Sequence, residues 1–147
     1  LIIFFLLELV LVIFVFVFYF VDGAFANIGL YPEDGFMDAI KKYRDDPDMQ
    51  DFIDNIQKML SCCGASNDDN GYKDWNNNRY FNCSGKSPDA CTVPYSCCKI
   101  SSGSNLNYRC GANMLSDTSD LSAINTEGCL KGLQNLIMTT FGLLEDL

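Results

Sequence analysis

The sequence predicts an all-α protein in which one membrane-spanning helix is followed by a helical domain held together by disulfides. Three observations carry this prediction. Residues 1–21 are apolar apart from Glu8 and Tyr19. The 126 residues after them, 22–147, hold 10 basic and 18 acidic side chains. All eight cysteines lie in that second part, within a stretch of 68 residues.

At about 1.5 Å per residue, a helix over residues 1–21 covers roughly 30 Å of hydrocarbon, the thickness of a bilayer core. A core helix of a globular domain would be shorter or would show a polar stripe, whereas residues 9–18 have no polar side chain on any face. A cleaved signal peptide would need a basic start, a shorter apolar run and small residues at its end. The run has no Lys or Arg and opens on Leu1 already in its apolar part, so the chain is read as a fragment and its single span as a lower bound. A carboxylate inside a bilayer is costly, so Glu8 is expected to face the interior of a helix bundle and a polar partner.

The second part has a net charge of −8, which argues against nucleic acid as a partner and against close approach to anionic headgroups. Eight cysteines at this density read as a disulfide framework formed in an oxidising compartment. Zinc fits poorly, because there is no His, no C-x-x-C, and two adjacent pairs, Cys62-Cys63 and Cys97-Cys98. Redox chemistry therefore places residues 22–147 outside the cell and the amino end toward the cytoplasm. Neighbouring Cα atoms stand about 3.8 Å apart, below the usual disulfide range of about 4.4–6.8 Å, so neither adjacent pair bonds internally. That constraint leaves the connectivity open.

Within this domain, residues 22–44 show a weak helical pattern, with Phe36, Ile40 and Tyr43 on one face, interrupted at Pro32 and Gly35. Asp46-Pro47 is a helix start, and Met49, Phe52, Ile53, Ile56, Met59 and Leu60 follow at helical spacing. Asp45, Asp46, Asp48, Asp51 and Asp54 read as the wet face of this helix. From residue 64 to about 116 the chain is rich in Asn, Asp, Ser and Gly, a composition for loops and short helical turns. A final helix starts near Thr126 and carries Leu130, Leu133, Leu136, Ile137, Phe141 and Leu144.

The run Cys62-Cys63-Gly64, the later Pro94-Tyr95-Ser96-Cys97-Cys98, and Gly128-Cys129 before the last helix resemble the large extracellular loop of a tetraspanin. The resemblance covers essentially the whole chain. It implies that residues 1–21 are the third of four transmembrane helices, with Glu8 matching an acidic residue often found there, and that residues 22–147 are the large loop. Lys73-Asp74-Trp75-Asn76, Tyr80-Phe81-Asn82-Cys83 and Cys91-Thr92-Val93-Pro94 resemble the eight-cysteine members, most closely the penumbra-like branch. For that subgroup the resemblance implies the bridges Cys62–Cys129, Cys63–Cys97, Cys83–Cys91 and Cys98–Cys110. Pro32 and Gly35 depart from the family's unbroken helix leaving the membrane, so a bend is expected there.

Asn82-Cys83-Ser84 fits the N-x-Ser glycosylation pattern. The acidic run at 66–71 is similar to a calcium loop, but Ser66 and Asn77 stand where carboxylates are required, so a solvated turn is expected and no metal. With no His, no free thiol and scattered carboxylates, no catalytic constellation or cofactor site is present, and the chain is read as a non-enzyme. Trp75 and Phe81 are assigned to a small core, while Tyr95 and Tyr108 stay undecided between core and partner contact.

The predicted function is binding. By resemblance, the membrane helices organise lateral assemblies with other tetraspanins in the lipid bilayer, and the variable region 64–128 recognises a partner. For the eight-cysteine subgroup that partner is a Kuzbanian-type ADAM metalloprotease, whose maturation and trafficking through secretory and endosomal membranes to the plasma membrane the protein would promote. The rival reading is a structural one, a homo-oligomer that builds microdomains or curved membrane without a protease.

Overall fold

A computed structural model describes residues 1–20, 32–100 and 107–145. The chain divides into two units, Leu1–Pro32 and Glu33–Leu147. The first contains α1 (Ile2–Phe20), 19 residues of near-uniform apolar character, with exposed apolar side chains along residues 2–17. Those 19 residues rise about 28 Å, just under the roughly 30 Å of a bilayer core. Among the described residues no helix is long and apolar enough to cross a membrane. Residues 21–31, which precede the bend expected at Pro32 and Gly35, lie outside the described residues.

A second helix, α2 (Pro32–Lys42), opens on proline, where the missing N–H does no harm. Glu33 and Asp34 in its first turn and Lys41 and Lys42 in its last complement the helix dipole. Gly35 was expected to interrupt this stretch. Instead the helix runs through it, since a single glycine costs only about 1 kcal/mol relative to alanine. The next helix, α3 (Pro47–Leu60), starts as its sequence predicts: the Asp46 side chain accepts from the Asp48 and Met49 N–H groups, and Pro47 occupies the first position.

Between α3 and the last helix the chain forms short 3-10 turns at Gly71–Asn77, Tyr95–Cys97 and Leu121–Ala123, with no strand among the described residues beyond an isolated bridge between Cys98 and Ile124. The last helix, α4 (Cys129–Glu145), packs against α3. Its start lacks a side-chain cap signal. The Cys129 and Leu130 N–H groups donate instead to the Gly64 and Ala65 carbonyls, so a distant segment supplies the acceptors that a first turn lacks.

The core of the second unit joins the end of α2 to α3 and to the irregular region: Ile40, Tyr43, Ile53, Trp75, Phe81, Val93 and Ile124 are all buried. Trp75 and Phe81 meet edge to face at 5.0 Å, and Tyr43 closes the triangle at 5.0 Å from Trp75 and 5.8 Å from Phe81. Each such contact contributes about 0.5–1.5 kcal/mol beyond area burial.

One expectation fails inside α3. Asp54 was assigned to the wet face with its four neighbours, but it is only 6% exposed and looks inward beside Ile53 and Gln57. Conversely, Phe52 and Met59, counted among the apolar residues at helical spacing, are 48% and 74% exposed.

Candidate functional site

The site is the cystine-held region that follows α3. Ser61 adopts the left-handed conformation at φ 50°, and the Cys62 N–H donates back to the Gln57 carbonyl, a Schellman closure that turns the chain sharply. The turn sends the two adjacent cysteines apart. Cys62 is joined to Cys129 at the start of α4, and Cys63 to Cys97 in the second 3-10 turn. Cys83–Cys91 and Cys98–Cys110 close the two remaining loops, and no free cysteine remains among the described residues.

Gly64 has φ +84°, and a Cβ there would stand 1.8 Å from the Gly71 carbonyl oxygen. Gly71 in turn lies against the Gly128 backbone, and a Cβ on Gly128 would meet the Ser66 carbonyl at 1.8 Å. Three segments thus touch backbone to backbone beside the paired cysteines. Only glycine permits an approach this close.

Beneath this contact the buried polar groups are fully partnered. Gln57, with no exposed surface, accepts through Oε1 from the Gly64 N–H at 2.9 Å and the Trp75 indole at 3.2 Å, and donates to the Ser96 hydroxyl at 2.7 Å. Ser96 donates to Asp54 at 2.6 Å, and the Tyr43 hydroxyl donates to the same oxygen at 2.9 Å. Burial, with the Asp54 carboxylate beside it, holds the Tyr43 phenol far above its ordinary range. Asn78 extends the lattice, donating to the Ile40 carbonyl and accepting from the Tyr80 N–H. The bonds through Asp54 and Gln57 tie Ser96, read from sequence only as a motif residue, to α3, to Tyr43 just past α2, and to Trp75.

The acidic run resembling a calcium loop is a set of turns. Asp74 accepts from the Ala65 and Ser66 N–H groups and from the Ser66 hydroxyl, and Asp68 accepts from the Asn70 N–H. Among the described residues no group of carboxylates and cysteines gathers as a metal site.

On the surface, Asn82 is half-buried, its amide donating to the Asn76 carbonyl and its oxygen accepting from the Ser84 N–H. Pro94 is buried, whereas Tyr95 is half-exposed and Tyr108 is 71% exposed, their rings 5.2 Å apart. Lys58 donates to the Tyr95 hydroxyl, and that bond raises its pKa. Arg79 and the Tyr80 hydroxyl both contact Asp45, and these bonds, the tyrosine's foremost, lower its pKa. Glu8 lies on α1, in the first unit.

A family model described as the tetraspanin family matches residues 1–145, a span that includes the helices and the doubled cysteines at 62–63 and 97–98. The chain is a tetraspanin. Tetraspanin-33 of Xenopus laevis is 45% identical over 112 residues, covering 72% of this chain and 40% of the relative. Human Tetraspanin-33 is 44% identical over 111 residues, covering 72% and 38%, and human Tetraspanin-14 is 42% identical over 106 residues, covering 68% and 37%. The match thus spans at most two fifths of these relatives' length. Tetraspanins are integral membrane proteins with an extracellular loop, non-enzymatic scaffolds that bind partner membrane proteins and one another.

Sequence reasoning about this tetraspanin missed Asp54, Gln57, Asp74 and Asn78 as structural polar residues. For Gln57 a signal existed: it stands one turn from Ile53 on the buried side of α3, where a polar residue must find partners.

Proposed function

We propose that this chain comprises the third transmembrane helix and the large extracellular loop of a partner-binding tetraspanin, with residues 1–21 in the bilayer and 22–147 outside the cell. In this reading Glu8 faces the interior of the helix bundle, Asn82 carries an N-glycan, and residues 64–128 form the recognition surface. The partner is a transmembrane Kuzbanian-type ADAM metalloprotease, and the tetraspanin promotes its maturation and its delivery to the plasma membrane. The observation that supports this most directly is the stretch between the cystines: it packs on a fully partnered polar core yet presents exposed Tyr108 and Ile100 outward. The eight-cysteine pattern and the similarity to Tetraspanin-33 and Tetraspanin-14 favour the penumbra-like branch.

The recognition surface depends on the cystines for its shape. Pull-down of the protease with the full-length parent protein from intact cells is expected to succeed without reductant and fail with it, while the protein stays in the membrane. Equal recovery in both arms removes the cystine-held loop as the recognition element, and no recovery in either removes the protease as partner.

A further inference from the structure

A cavity of about 270 Å³ opens where the end of α2 and the start of α3 meet the variable region. Its floor is apolar, made by Phe81, Val93 and Pro94. Its rim is cationic and aromatic. Arg44 lies over the Phe81 ring at 5.2 Å, and its guanidinium is held by Asp89 at 2.8 Å. Across from these residues in the chain, Tyr95, Tyr108 and Arg109 line the same opening.

The charge balance here is opposite to that of the domain. Residues 22–147 carry −8, and only three arginines occur in the sequence, yet two of them line this cavity. Asp89 is the sole carboxylate among the lining residues, and it neutralises Arg44. Arg109 makes no ion pair among the described residues and directly follows Tyr108, the most exposed tyrosine of the cavity, in the chain. Lys58, outside the lining, stacks its ammonium over the Tyr95 ring at 4.6 Å.

Such a volume lies just under the roughly 300–1,000 Å³ of small-molecule pockets and suits one or two side chains. Arginine and tyrosine are the residues that most often dominate binding at protein interfaces, and an open guanidinium fork matches a carboxylate geometrically.

We propose that this cavity receives an acidic side chain of a partner protein, carried on a segment whose neighbouring aromatic or aliphatic residue covers Tyr95 and Tyr108. The proposal rests on the partner-binding reading above and does not require the partner to be the protease. Arg109 takes the carboxylate, Arg44 remains paired with Asp89, and the tyrosines supply the apolar contact. Specificity then comes from residues of the helical frame and of the variable region together.

The test uses the full-length parent protein on cells, with Tyr108→benzoylphenylalanine as a photo-crosslinker and mass spectrometry of the adduct. The expected adduct lies in a protein segment with Asp or Glu beside an aromatic or aliphatic residue. Its yield falls about tenfold or more with Arg109→Glu, is largely kept with Arg109→Lys, and is unchanged with Lys42→Glu, outside both the cavity and the recognition surface. Non-reducing peptide maps with all four bridges establish that each variant is folded. The proposal is overturned by no polypeptide adduct, by an adduct only to lipid, a small anion or another copy of this chain, by a segment without a carboxylate, or by a yield indifferent to Arg109→Glu. If the acidic segment belongs to a protein other than a metalloprotease, the cavity assignment stands and the protease reading falls.

Discussion

Asp54 is held by two hydroxyls, those of Tyr43 and Ser96, with Gln57 behind them. Because burial and the adjacent carboxylate raise the Tyr43 pKa in the folded state, the fold retains that proton when the unfolded chain would release it. Its contribution is complete below the ordinary phenol value of about 10 and is lost as pH rises beyond it, at about 1.4 kcal/mol per pH unit. Thermal melts of the parent protein's loop between pH 8 and 11 are expected to fall more steeply than those of Tyr43→Phe. That variant starts lower, since Asp54 loses a donor. Equal slopes would assign the alkaline loss to another group. None of this was legible locally. Asp54 sits in an acidic run with Asp45, Asp46, Asp48 and Asp51, and what distinguishes it is a hydroxyl 42 residues further along the chain.

Helices differed in how openly the sequence announced them. The start of α3 is written in two adjacent residues, Asp46 and Pro47, so both its place and its cap could be read directly. Its inward face could not, because Phe52 and Met59 share helical spacing with Ile53 while standing in solvent. Periodicity identifies a helix but does not say which of two apolar stripes the rest of the chain will cover. The start of α4 was read near Thr126 and lies at Cys129, since its first N–H groups are satisfied by carbonyls of residues 64 and 65. The cystines joining these elements should be unequal in effect. Cys62–Cys129 closes a loop of 67 residues and Cys83–Cys91 one of 8. In the chain-entropy model these correspond to about 4 and about 2.5 kcal/mol. Denaturant unfolding of paired Cys→Ala variants is expected to show the larger loss for the 62/129 pair; equal losses would mean that packing around each cystine outweighs loop length.

At the scale of the molecule, the all-α, disulfide-held class was readable from composition and from the density of cysteines. Connectivity was not, because adjacency excludes two bonds and says nothing of distant partners; the pairing came from the family resemblance. The acidic surface invites a comparison with calcium-binding modules, but Asp68 and Asp74 are occupied as turn acceptors. Titration with calcium is therefore expected to leave the melting temperature of the domain unchanged, whereas a rise that saturates would reveal a bound ion.

The contact among Gly64, Gly71 and Gly128 bears on how the molecule is made. During oxidative folding Cys62 and Cys63 are chemically equivalent neighbours, and an exchange of partners between them would shift the chain by one residue. The backbone bonds from Cys63 to Glu127 and from Cys129 to Gly64 hold only in one register, and three glycines pressed together leave no slack to absorb a slip. The native pairing is thus expected to be favoured by the fit of bare backbone, before any partner is met, and a chain with a side chain at one of these glycines is expected to carry more scrambled bridges in the compartment where its cystines form.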